Sequence, residues 1–399
     1  MSDFRIAALI CECNPFHNGH AYIFSQIRRR ADIAVAILSG NFVQRGETAV
    51  FDKYARARAV LASGADLVLE LPFPWCSASA EYFALAGVTL AARIGAEALL
   101  FGASSENAAS YREAARILAD AESESAAYSS TGRKARTLGA ASAREAFLRE
   151  AAGSAAADLM RTPNDILAIE YCKAIAARGA NLLPCPVLRA DEIDGIPLCG
   201  ATDLRRRMAQ DGIVALHGRT PAAAETIFRE EYAAGRYAFP PALAEMLFLH
   251  LRYMRSFPHA AFAEGAGGVL DRLIAAAASS ANADELFARV ATKKYTNTRF
   301  RRAALFSLME IPAAVLRRPP AYSVLLAANE RGRRLLSQIR RAGDFPILTK
   351  PADHATLPPD AAEQYAALRR ADELYTLCLH TRLPAGAYLR RTPYIAKSM

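Results

Sequence analysis

Two histidines, His17 and His20, stand three residues apart in the stretch Asn14-Pro15-Phe16-His17-Asn18-Gly19-His20, directly after an apolar run of strand length, Phe4 to Cys11. Residues at that spacing share one side of an opening helical turn, so both imidazoles can face the same ligand. A phosphate there meets free N–H groups and the positive end of the helix dipole. Gly19 lets a ligand come close to the backbone, and Pro15 stiffens the entry. Two imidazoles aimed at one phosphate could stabilise the charge that builds during displacement at phosphorus. Taken alone, the spacing favours a helix cap or a metal pair. Its place after a buried strand, with Gly19 before His20, favours the phosphate.

Other cations could serve the same chemistry. Gly200-Ala201-Thr202-Asp203-Leu204-Arg205 opens a helix with basic residues soon after its start. Arg205 and Arg206 are therefore either phosphate contacts or ordinary exposed helix residues. The run Lys293-Lys294-Tyr295-Thr296-Asn297-Thr298-Arg299-Phe300-Arg301-Arg302 interleaves cations with aromatics and hydroxyls, a mixture suited to an RNA backbone with stacked bases. The seven cysteines, Cys11, Cys13, Cys76, Cys172, Cys185, Cys199 and Cys378, are scattered without zinc-site spacing and read as reduced packing residues. No dedicated metal site is expected.

These residues need elements to position them. Phe4 to Cys11, Asp32 to Leu38, Asp66 to Leu71, Glu97 to Phe101 and Leu182 to Leu188 read as strands, with Ala21 to Ile27 and Tyr54 to Ala62 as helices between the first three. Near-continuous apolar strands alternating with helices indicate an α/β fold with a doubly wound parallel sheet. Ligands of such a sheet lie at the strand C-terminal ends, so the segments 39–47, 71–79 and 102–106 share a rim with the histidine turn. Asn107 to Ala157 reads as helices covering the sheet, and Thr162-Pro163-Asn164-Asp165 opens another helix. From about residue 211 strand signals fade. Ala242–Met254, Val269–Ala278, Ala283–Val290, Phe300–Met309 and Ala362–His380 read as helices, joined by Pro-bearing turns.

Length and charge fit this division. A chain of 399 residues is long for a single core. Residues 1–210 carry 23 basic and 23 acidic side chains, whereas residues 211–399 carry 26 and 17, so the whole net charge of +9 belongs to the second half. A basic half beside a neutral one suggests a polyanion held by one part and modified by the other. No apolar run reaches the roughly 20 residues needed to span a bilayer, and no signal peptide is read, so a cytoplasmic protein without a membrane partner is expected.

The string Cys13-Asn14-Pro15-Phe16-His17-Asn18-Gly19-His20 resembles the H-x-G-H signature of class I nucleotidyltransferases, and within them the tRNA(Met) cytidine acetate ligase family. Ser39-Gly40-Asn41-Phe42-Val43-Gln44-Arg45-Gly46-Glu47, Asp52-Lys53 with Arg56, Gly64-Ala65-Asp66-Leu67-Val68-Leu69-Glu70-Leu71-Pro72 and Tyr295 to Arg302 match the same family in order. Gly200 to Arg205 is similar to the second superfamily signature, which in relatives meets the triphosphate.

The resemblance implies a Rossmann-like nucleotidyltransferase domain that binds ATP over residues 1–210 and a mainly helical, basic, tRNA-binding domain over 211–399. It implies activation of acetate by ATP as acetyl-adenylate, then acetyl transfer to the wobble cytidine in the anticodon loop of elongator tRNA-Met. Magnesium is expected with ATP, and no obligate protein partner is implied. His17 and His20 would be catalytic. Ile10, Cys11, Glu12 and Cys13 would line the entrance to the nucleotide turn, and Asn14, Pro15, Phe16, Asn18 and Gly19 would form it. Gly102 would pass close to the adenosine, Asn164 would hydrogen-bond the nucleotide, and Arg189 would contact it as a fixed cation. Arg45 is a candidate for acetate or tRNA.

Two departures stand out. The family's Phe-Gly-Ser-Glu is here Phe101-Gly102-Ala103-Ser104-Ser105-Glu106, which displaces the acidic residue, and Cys13 stands where relatives tend to carry Tyr. An adenylyltransferase acting on a small phosphorylated substrate, and a non-catalytic RNA-binding protein, are the competing readings.

Overall fold

Phe4–Cys11 (β1) carries Ile6, Ala8 and Ile10 to one side and Ala7, Leu9 and Cys11 to the other, and all six are buried. A strand apolar on both faces needs cover on both, which places it at the centre of a sheet. The computed structural model describes residues 2–123, 140–189, 192–193, 196–254, 261–292, 296–343 and 345–396. In it β1 pairs in parallel with Ala31–Ser39 (β2) on one side and with Ala98–Ala103 (β4) on the other. Leu67–Leu71 (β3) continues in parallel beyond β2, and Leu183–Leu188 (β5) beyond β4. The order 3-2-1-4-5 reverses at β1, so a crevice opens between the C-terminal ends of β1 and β4.

Three of the helices expected in the first half form with side-chain caps. Asn18–Arg30 starts at His17, Lys53–Ala62 is capped by the Asp52 carboxylate on the Ala55 N–H, and Pro163–Arg178 by the Thr162 hydroxyl on Asp165. Ala108–Ser123 and Ala140–Asp158 occupy the segment read as sheet cover. The five helical segments of the second half are helical.

Ser323–Ala328 (β6) was not legible as a strand. It adds to the sheet edge antiparallel to β3, and the short strands Ile347–Leu348 (β7) and Tyr394–Ile395 (β8) pair with it in turn. The second half is thus mainly helical, yet it extends the sheet of the first. One apolar cluster runs without a break from Ile6, Ile10 and Phe101 to Leu247, Leu273, Phe306 and Tyr375.

A buried ionic cluster joins the halves. Lys53 Nζ lies 2.9 and 3.0 Å from the Glu70 oxygens and 2.7 Å from Asp372 Oδ2, while Asn41 donates from Nδ2 to Asp372 Oδ1 at 2.9 Å. Burial pushes both carboxyls up, and the ammonium shared between them opposes that shift.

Candidate active site

β1 ends at Cys11, and the chain turns through Cys13, whose φ is +47°, and a cis Asn14–Pro15 bond into the first helix. Three contacts hold this turn. Asn14 Oδ1 accepts the Val50 N–H at 2.8 Å, Arg205 donates to the Asn14 carbonyl at 2.7 Å, and Thr220 Oγ1 donates to the Phe16 carbonyl at 3.2 Å. Asn18 faces the opposite wall and donates to the carbonyls of Gly218 and Arg219 at 3.0 and 2.9 Å. Beneath the turn lies Arg56, fully buried, whose guanidinium donates to the carbonyls of Phe51, Glu12 and Gly40. It ties the end of β1 to the end of β2 with charge-assisted bonds.

The two imidazoles lock each other. Gly19 N–H donates to His17 Nδ1 at 3.1 Å, and His17 N–H donates to His20 Nδ1 at 3.3 Å. Since each Nδ1 accepts, each ring carries its proton on Nε2. The ring centroids are 3.9 Å apart, and Phe16, itself buried, stacks on His20 at 5.5 Å. Gly19 is required here, because a Cβ would lie 2.9 Å from His17 Cε1. Burial, with Arg189 and then Arg205 nearby, pushes His17 down to about 4. Burial, then His17 and Arg189, hold His20 well below the usual histidine range. Both rings are therefore neutral N–H donors at pH 7, and an incoming anion would offset the cations that depress them.

Arg189 and Gly102 lie beside the histidine turn. Arg189 follows β5, its N–H donating to the Ala103 carbonyl at 3.0 Å, and its charge acts on both histidines. Gly102 makes room, since a Cβ there would sit 3.4 Å from Arg189 Cγ and from Ile23 Cδ1. Asn164 lies in the first turn of its helix beside Asp165, which accepts from the Ser104 N–H at 2.9 Å and from Tyr111 at 2.6 Å. Asp165 thereby pins the loop after β4, a role the sequence reading did not assign. Glu106 is exposed. Glu12 is half-buried and accepts the Gln44 N–H at 2.8 Å, and Ile10, Cys11 and Cys13 are buried under the turn. Arg45 is exposed on the neighbouring loop.

One expectation is corrected. Phe300 is fully buried and its ring fills the core, so it is not presented at the surface beside the cations. Arg302 pairs with Glu264 at 3.1 Å and donates to the Gln44 carbonyl at 3.4 Å, and Arg301 pairs with Glu47 at 3.7 Å, so these cations brace the 40–48 loop. Lys293, Lys294 and Tyr295 lie outside the described residues.

A family model described as HIGH Nucleotidyl Transferase matches residues 4–386. The tRNA(Met) cytidine acetate ligase of Syntrophotalea carbinolica is 32% identical over 86% of this chain and 84% of its own length. That of Acetivibrio thermocellus is 30% identical over 94% and 95%. The chain belongs to the tRNA(Met) cytidine acetate ligase family, within the HIGH nucleotidyl transferases. The crystal structure of Thermotoga maritima TmcAL bound with alpha-thio ATP superposes with a TM-score of 0.91 at 26% identity, covering 99% of this chain and all of that one. The apo form of the same protein gives 0.90. The chain is accordingly an enzyme of the ligase class with the HIGH nucleotidyltransferase fold. Among the described residues no helix is long and apolar enough to cross a membrane.

Proposed function

We propose that this enzyme joins acetate to ATP as acetyl-adenylate and passes the acetyl group to N4 of the wobble cytidine in elongator tRNA-Met. The observation that carries this reading is the locked histidine pair, with two Nε2–H donors beside Arg189 and Arg205 where the strand order reverses. Donors fixed in advance stabilise charge at an α-phosphate without reorganising as it develops. The first step is attack of an acetate oxygen on the α-phosphorus with loss of pyrophosphate. It needs no nucleophilic side chain, only alignment, which can contribute roughly 7 to 11 kcal/mol.

In this reading Asn14 to Gly19 cradle the nucleotide, Ile10 to Cys13 line the entrance to that turn, Gly102 admits the adenosine, and Asn164 and Arg189 hold it. The relatives' names supply the tRNA substrate, and the alpha-thio ATP of the Thermotoga protein supports ATP. The described groups at the turn are mostly imidazoles, amides and cations, so Mg2+ would arrive on the triphosphate's own oxygens. Residues 1–210 would carry the chemistry and the basic residues of 211–399 the RNA, in the cytoplasm where both substrates are found.

ATP–pyrophosphate exchange tests the reading, run with acetate, with no acid and with other short acids, and repeated with His20→Ala. Acetate-dependent exchange that the substitution abolishes is expected. Exchange that ignores acetate, or that requires a phosphorylated small molecule, would replace this reading with an adenylyltransferase.

A further inference from the structure

Beside the histidine turn, several polar groups stand buried with nothing to bond. Ser39 Oγ, Gln44 Nε2 and Tyr171 OH are all without a hydrogen-bond partner, and Ser39 and Tyr171 are 0% and 1% exposed. An orphaned buried donor costs about 1–3 kcal/mol, so three in one neighbourhood require an explanation.

They belong to the strand end, loop and helix that flank Glu12. Cys11 and Leu38 are paired neighbours on β1 and β2, so Glu12 and Ser39 follow them side by side. Ser39, the last residue of β2, lies two residues beyond Ile37 on the same face of the sheet, and Glu12 follows directly on the end of β1. Gln44 gives Glu12 Oε1 its backbone N–H at 2.8 Å and keeps its side-chain amide free. Tyr171 packs against Phe101 of β4, at 5.5 Å between ring centroids, near enough for its hydroxyl to feel Cys11 and Glu12. The cluster is one carboxylate acceptor among three uncharged groups able to donate.

That set complements one base. The Watson–Crick edge of cytosine offers an exocyclic amine as donor and N3 and O2 as acceptors, and an acidic side chain is the natural partner of the amine. Uracil would turn O4 toward the carboxylate and be repelled, which is how a site rejects a near-isostere.

We infer that Glu12 is the catalytic residue of the acetyl-transfer step, accepting the proton of the cytidine amine, with Ser39, Gln44 and Tyr171 reading the rest of the base edge. This rests on the acetyl-adenylate reading above. In the step, the N4 lone pair forms a bond to the acetyl carbon and the bond from that carbon to the phosphate oxygen of AMP breaks. AMP leaves with the electron pair, and the N4 proton passes to Glu12 and then to water. The carboxyl is suited to this because burial raises its affinity for a proton, a shift opposed by the Gln44 N–H and by Arg205, Arg45 and Arg56.

The test separates the two half-reactions. In Glu12→Gln, which keeps the oxygen that the Gln44 N–H needs, single-turnover transfer from preformed acetyl-adenylate to tRNA-Met falls at least ~100-fold more than acetate-dependent exchange. The rise of the transfer rate with pH disappears along with it. Tyr171→Phe, which removes only the hydroxyl, raises the KM for RNA in transfer and leaves the KM for ATP in place. Transfer and exchange falling in equal proportion, or transfer unchanged, would overturn the assignment. If the unmodified enzyme shows no acetate-dependent exchange, the acetyl-adenylate reading fails instead.

Discussion

Lys53 and Asp372 are separated by 319 residues and meet at 2.7 Å in the interior, where the same ammonium also serves Glu70. Removing one partner of a buried cluster strands the others, which costs about 3–5 kcal/mol. Lys53→Met should therefore lower stability by that order in urea unfolding, since two carboxylates lose their counter-ion together. Asp372→Asn should cost less, because its remaining oxygen can still accept from Asn41.

The locked rings make a kinetic prediction. His20→Ala removes one Nε2–H donor and also the acceptor that holds the His17 backbone N–H. Loss of one such donor costs about 10²–10³ in rate. The exchange rate should fall by that order while the KM for ATP moves much less.

Acid should destabilise the free enzyme through the same pair. His17 binds its proton at about 4 when folded, against an ordinary value of 6.5, so between these values the unfolded chain binds more protons. Stability therefore rises with pH across that window and falls as the solution is acidified through it, by up to about 3 kcal/mol for this group. Thermal melts of the wild type and of His17→Asn from pH 7 to pH 4 check it, with a shallower decline in the variant.

Arg205 reaches the turn from a helix nearly two hundred residues later, bonding the Asn14 carbonyl at 2.7 Å and Thr202 Oγ1 at 3.3 Å. Lysine keeps the charge but lacks the planar fork that makes both bonds. Arg205→Lys should raise the KM for ATP in exchange and lower stability by about 1–2 kcal/mol. An unchanged KM would place Arg205 outside the nucleotide site.

The features legible in the sequence are those that neighbouring residues settle among themselves. The parallel strands follow from apolar runs, the helices from their caps at Asp52 and Thr162, and the phosphate turn from His17, Gly19 and His20 following a buried strand. Each is a local pattern, decided within one or two turns of chain.

Only the tertiary structure decided what those local elements meet. Ser323–Ala328 is a six-residue, largely apolar run that periodicity alone does not separate from a buried helix segment, and it becomes a strand because the edge of β3 offers it hydrogen bonds. Phe300 sits among cations in a stretch that reads as an RNA surface, yet its ring fills the core, and two of those arginines find carboxylates on other segments. The Nε2–H form of both histidines, the bolt made by Arg56 and the unpartnered groups around Glu12 likewise depend on atoms far apart in sequence. Sequence pattern records which side of an element is apolar, whereas hydrogen bonds and ion pairs between distant segments depend on a packing that forms only when the whole chain has folded.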